Sequence, residues 1–205
     1  MALVRSFAAI AALAALTACS QTNNSTSSTY SAALVPTDQV LKICSGYGCI
    51  ISNKVTFGAS DLERLRDVMD AGQASPAQER DAVAKAVGLM EIMSRAKGRY
   101  AKDNPKAWQI DKGKRGQMDC VDESLNTGAY LRYLHRNGLL RHHAPERGYA
   151  ERGLIIDGRY PHKSATMKDK AGTRWTVDSW YGATGDAAEI MTHAQWRRVR
   201  NGFNG

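Results

Sequence analysis

Three stretches between residues 59 and 138 carry apolar side chains at helical spacing, and around residues 162–181 the pattern changes to alternation. That change of period constrains the fold more than any other feature. Helices followed by paired strands close a core as an α+β domain, here with a helix packed on an antiparallel sheet. In "ASDLERLRDVMDAG" Leu62, Leu65, Val68 and Met69 share a face, Ser60 and Glu63 have capping-box spacing, and Gly72 closes the segment. In "SPAQERDAVAKAVGLMEIMSRAKG" Ser75 predicts the N-cap, Pro76 the first helical position and Gln78 the rest of the box. Val83, Ala86, Val87, Met90 and Met93 then recur as a core face up to Gly98. After a polar, Gly- and Pro-punctuated loop, "DCVDESLNTGAYLRYLHRNG" predicts a third helix. Asp119 is its N-cap with Asp122 near N3. Val121, Leu125, Ala129 and Tyr133 point inward, and Gly138 ends it.

Upstream, "QVLKICSGYGCIISNKVTF" places two β-rich runs about the four-residue turn "SGYG", a hairpin in which Cys44 and Cys49 face each other across the strands and form a disulfide. A disulfide presumes export, and the N-terminus supplies the signal. Residues 1–18, "MALVRSFAAIAALAALTA", join Arg5 to an apolar run too short for a permanent span, ending at Cys19. "LTAC" resembles the lipobox of bacterial lipoproteins, which implies a lipid-modified Cys19 as the mature N-terminus. Ser20, where an inner-membrane protein of that kind carries Asp, favours the outer membrane and the periplasmic face. Residues 19–35 read as a lipidated tether, and residues 36–205 as one globular domain. Loss of Arg5 takes the net charge from +8 to +7. The basic side chains are scattered, so nucleic acid is not the expected partner, and membrane contact comes through the anchor.

With Cys19 assigned to lipid and Cys44 to Cys49, the fourth cysteine, Cys120, has no partner. At the start of a helix its thiolate gains from the helix dipole, whereas Asp119, Asp122 and Glu123 oppose it. Further on, "KSATM" and "TRWTVDSWY" are joined by the turn "KDKAG". Pairing Lys168 with Gly172 puts His162 directly opposite Asp178, with Cβ atoms about 5 Å apart. A thiol, an imidazole and an orienting carboxylate are what a cysteine nucleophile requires. Adjacent His142 and His143 do not converge on a metal and read as surface loop; no metal or cofactor is expected. Trp175 and Trp180 read as core or as shields for the triad, and "QWRRVRNGFNG" as a solvated tail behind a packed Trp196.

"DCVDESLNT" followed by "PHKSATMKDKAGTRWTVDSWY" resembles the transglutaminase-like superfamily of papain-type thiol enzymes, including bacterial transglutaminase-like cysteine proteinases, over residues 116–182. The resemblance implies a papain/transglutaminase-like core with Cys120 as nucleophile, His162 as base and acid, and Asp178 as the orienting carboxylate. Gln117, three residues before the nucleophile, matches the upstream oxyanion donor of such enzymes. The implied activity is hydrolysis or transfer of an acyl group from an amide in an envelope peptide or protein. The alternative is a non-catalytic envelope lipoprotein that keeps the fold as a binding or assembly module.

Overall fold

The computed structural model describes residues 40–107, 111–153 and 161–199. The expected leader, Cys19 and the tether lie outside them, as do the first residues of the expected domain and residues 200–205.

Strands β1 (Val40–Ser45) and β2 (Ile51–Thr56) form the expected antiparallel hairpin. Its turn differs. Ser45 pairs with Ile51 and Cys44 with Ser52, so the connection is residues 46–50 and Cys49 belongs to the loop, not to the facing strand. The Cys44–Cys49 disulfide forms all the same, with Cα atoms 4.6 Å apart. Gly46, Tyr47, Gly48 and Cys49 all have φ between 61° and 82°. Such a run is unfavourable for Tyr and Cys and requires outside support.

Helix α1 (Ala59–Asp70) begins two residues earlier than the Ser60/Glu63 pattern predicts. Gly58 is the N-cap, and Asp61 Oδ2 accepts its N–H at 2.8 Å while also pairing with Lys97 at 2.8 Å. That second partner, remote in sequence, is what favours Asp61 over Glu63. Helix α2 (Pro76–Gly98) starts as predicted, Ser75 Oγ accepting the Gln78 N–H at 3.2 Å, and ends with Arg99 left-handed at φ 51°. Helix α3 (Cys120–Arg136) has the predicted cap and stops before Gly138, which takes φ 71°.

The remaining strands are β3 (His143–Pro145), β4 (Ala150–Arg152), β5 (His162–Asp169), β6 (Arg174–Asp178) and β7 (Glu189–Thr192), followed by the single turn α4 (His193–Trp196). They form an antiparallel sheet in the order β3-β5-β6-β7, with β4 pairing the other end of β5. Lys168 pairs with Arg174, not Gly172, so the hairpin is two residues out of the expected register. The turn explains it: Asp169 Oδ1 accepts the Thr173 N–H, and Gly172 at φ 88° donates to the Asp169 carbonyl. Because side chains alternate with period two, the slip leaves His162 and Asp178 on one face.

The mixed helix and antiparallel sheet make this an α+β architecture. Helix α3 lies at its centre, touching β1, α2 and strands β3, β5 and β6. The hairpin contributes to the central core, since Leu41, Ile43, Val55 and Phe57 cluster with Tyr130, Leu131, Tyr133 and Leu134 of α3 and with Ala165, Met167 and Val177 of the sheet.

Candidate active site

The first turn of α3 is held from two sides. Asp119 Oδ1 accepts the N–H groups of Val121 and Asp122 at 3.1 and 2.9 Å. This fixes Cys120 at the first helical position, where the backbone N–H has no intrahelical acceptor. The disulfide loop closes over the same turn. Tyr47 and Cys49 donate their N–H groups to Asp122 at 2.7 and 2.5 Å, Gly48 donates to Asp119, and Gly46 donates to the Gln117 carbonyl at 2.7 Å. Asn126 exchanges both hydrogen bonds with the Cys44 backbone. The positive-φ run is thus the shape that turns successive N–H groups onto two carboxylates.

Cys120 is the free cysteine among the described residues and is half-buried. Its thiol faces the backbone N–H of Lys163, the residue after His162 on β5. Burial pushes the thiol up to about 12, and the charges of Asp119 and Asp178 push the same way, while the Lys163 amide and ammonium oppose them. Any gain from the helix dipole is outweighed, so at neutral pH this is a thiol and not a preformed thiolate.

His162 is 1% exposed. Its Nε2 lies 2.7 Å from Asp178 Oδ2, and as the carboxylate only accepts, Nε2 carries the proton. Nδ1 is then the basic nitrogen, and it is buried with no hydrogen-bond partner among the described residues. A buried acceptor without a donor is costly unless it has a task. Three aromatic rings surround the imidazole: Trp180 at 4.8 Å, Tyr181 at 5.6 Å and Trp196 at 5.7 Å between centroids. Trp196, expected only to pack, also donates its indole N–H to Asp178 Oδ2 at 2.7 Å.

Other expected participants lie elsewhere. Gln117 donates Nε2–H to the Lys102 carbonyl at 2.7 Å and accepts from the Asn104 N–H, so its amide fastens the 102–104 loop and receives no support as an oxyanion donor. Trp175 sits under the Arg80 guanidinium at 3.7 Å, away from the triad. His143 is not surface loop but 4% exposed on β3, its Nδ1 2.8 Å from the buried Glu79 carboxylate. Among the described residues the metal-ligating types that come close together are Cys44, Cys49 and Asp122, and both sulfurs are already joined.

The sequence reading missed a buried acidic group behind the site. Ser179, next to Asp178, donates to Glu123 Oε2 at 2.5 Å and meets Thr127 Oγ1 at 2.9 Å. Asp103 hydrogen-bonds the Glu123 carboxyl and accepts the Met118 N–H at 2.8 Å. Burial and the neighbouring Glu123 charge push Asp103 up to about 9, so the pair holds a proton at neutral pH. No local spacing rule links residues 103, 123 and 179.

No family model, curated protein or solved structure matches the chain.

Proposed function

We propose that this chain is a cysteine-dependent acyl hydrolase or acyltransferase of the transglutaminase-like, papain-type class, anchored in a bacterial cell envelope through Cys19. One observation carries the reading: an imidazole fixed by Asp178 through Nε2 keeps Nδ1 buried and unpartnered, on the strand whose next amide faces the free thiol. The Cys120 sulfur attacks an amide carbonyl carbon, forming a C–S bond, as its proton passes to His162 Nδ1. The Cys120 backbone N–H stabilises the developing oxyanion. His162 then returns the proton to the leaving nitrogen, the C–N bond breaks, and a thioester remains for water or an amine to cleave. Asp178 favours the imidazolium throughout.

The raised thiol also supports a second reading, a non-catalytic binding or assembly module, since an unassisted thiol at about 12 is inert at neutral pH. Alkylation of Cys120 across pH 5–9 separates the two. An enzyme shows reaction near neutral pH that falls by about a hundredfold or more in His162→Ala, within the range for general-base assistance, and falls also in Asp178→Asn. Reaction only at strongly alkaline pH, equal in all three proteins, overturns the catalytic reading.

A further inference from the structure

Strand β4 carries a buried arginine that the acyl-transfer steps do not use. Arg152 is 5% exposed and lies directly opposite His162 in the β4–β5 pairing, so the two side chains share a face. Its Nη2–H donates to the Tyr181 hydroxyl at 2.6 Å and its Nη1–H to the Val199 carbonyl. The guanidinium carbon stands 4.8 Å from the centroid of the Trp196 ring, a cation over an aromatic face. Arginine is seldom so buried unless its charge and donors are engaged. Here they are engaged by the two segments that wall the imidazole, since Tyr181 and Trp196 both pack on His162.

One of those segments needs an outside hold. Helix α4 is a single turn, capped by Thr192 Oγ1 accepting the Gln195 N–H at 3.2 Å, and a turn of that length does not persist by its own hydrogen bonds. Packing on β6 and β7 buries the Trp196 ring, but burial is not directional. The indole N–H must nonetheless point at Asp178 Oδ2 to lie 2.7 Å from it. His193 stacks on the indole, 6.0 Å between centroids, but it belongs to the same turn and moves with it. Arg152 stands on a different element and grips this segment twice, at the Trp196 ring and at the Val199 carbonyl. Its other arm, on Tyr181, ties the guanidinium to the residues that follow Asp178 and so fixes its plane.

We propose that Arg152 is a positioning residue for the triad: it aims the Trp196 indole N–H at Asp178 and, through Asp178, sets the orientation of His162. The effect on rate rests on the catalytic reading of Cys120, whereas the aim of the indole is measurable without it. Charge alone does not supply this function. Arg152→Lys keeps a cation at the position but replaces a planar fork with one nitrogen, which cannot serve two separated acceptors and lie flat on a ring at once.

The test compares Arg152→Lys, Trp196→Phe and the double variant with the native chain. Two quantities are read: Cys120 alkylation at neutral pH, and deuterium exchange of the Trp196 indole N–H by NMR, its resonance identified by its loss in Trp196→Phe. Arg152→Lys should slow alkylation by about tenfold, as Trp196→Phe does. The double variant should stay within about twofold of Trp196→Phe alone, because residues acting through one chain of contacts are not additive. In Arg152→Lys the indole N–H should exchange about tenfold faster or more while the backbone amides of α3 keep their protection, a local and not a global loosening. Alkylation of Arg152→Lys at the native rate, a multiplied loss of about a hundredfold in the double variant, or indole exchange that quickens only in step with α3 overturns the proposal. If native alkylation proves independent of His162, the catalytic reading falls, and the indole exchange alone supports or overturns the placement of Trp196 by Arg152.

Discussion

Asp178 Oδ2 receives two N–H donors, His162 Nε2 and Trp196 Nε1, both at 2.7 Å. The indole is a permanent donor, so it holds the carboxylate in one orientation beside the imidazole. Hydrogen bonds to a charged group contribute about 1.5–3 kcal/mol. Trp196→Phe keeps an aromatic ring beside His162 and deletes this donor. We expect Cys120 alkylation at neutral pH to slow by about tenfold, the rate equivalent of about 1.4 kcal/mol. Trp175→Phe, remote from the triad, should lower the melting temperature without changing that rate. If the two variants behave alike, the indole N–H only packs. Nothing local announces this role: Trp196 follows Asp178 by 18 residues and reaches it only because β7 and α4 fold back on β6.

At the scale of elements, what was legible in the sequence was what neighbouring residues determine. Ser75 and Asp119 cap the helices they were expected to cap, because a cap involves four residues in a row. The Gly58 cap and the two-residue shift of the β5–β6 hairpin were not legible, because Lys97 and the Asp169–Gly172 turn decide them. His162 still meets Asp178, as the shift preserves face. Cys49 shows the same limit: its pairing with Cys44 was read from a hairpin in which the two face each other across the strands, but its place in the loop follows from Asp119 and Asp122, which accept the Gly48 and Cys49 N–H groups from more than 70 residues away. The loop and the helix start should therefore lose stability together. In the chain-entropy account a disulfide closing a loop this short, with sequence separation 5, contributes about 2 kcal/mol. Cys44→Ser/Cys49→Ser should lose at least that in urea unfolding, because Asp122, fully buried, also loses the ordering of its two loop donors. A variant as stable as the native chain would show that the loop holds its shape without the bond.

For the whole molecule, the buried carboxyls set how stability responds to pH. Asp103, Glu123 and Glu91 are all raised, chiefly by burial and then by one another's charge or, for Glu123, that of Asp178. Among the described residues no Lys or Arg forms an ion pair with these carboxyls, so protons do the compensating. For a carboxyl whose folded value exceeds its unfolded one, the native state binds more protons than the unfolded chain. Its contribution is complete below the unfolded value of 3.8 and drains away as pH rises toward the folded value, about 9 for Asp103. The chain should accordingly lose stability steadily from mildly acidic to alkaline pH. Asp103→Asn isolates the effect, since its amide can donate to Glu123 as the protonated acid does and still accept the Met118 N–H. We expect the variant to match the native chain near pH 5 and to melt higher at pH 9, each kcal/mol recovered being worth about 2–4 °C at this size. Melting curves that run parallel across this range would mean that Asp103 ionises as readily in the folded chain as in the unfolded one. The cluster joins Met118, just before Cys120, to Ser179, just after Asp178, so alkaline loss of these protons should loosen both ends of the triad as it lowers the melting point.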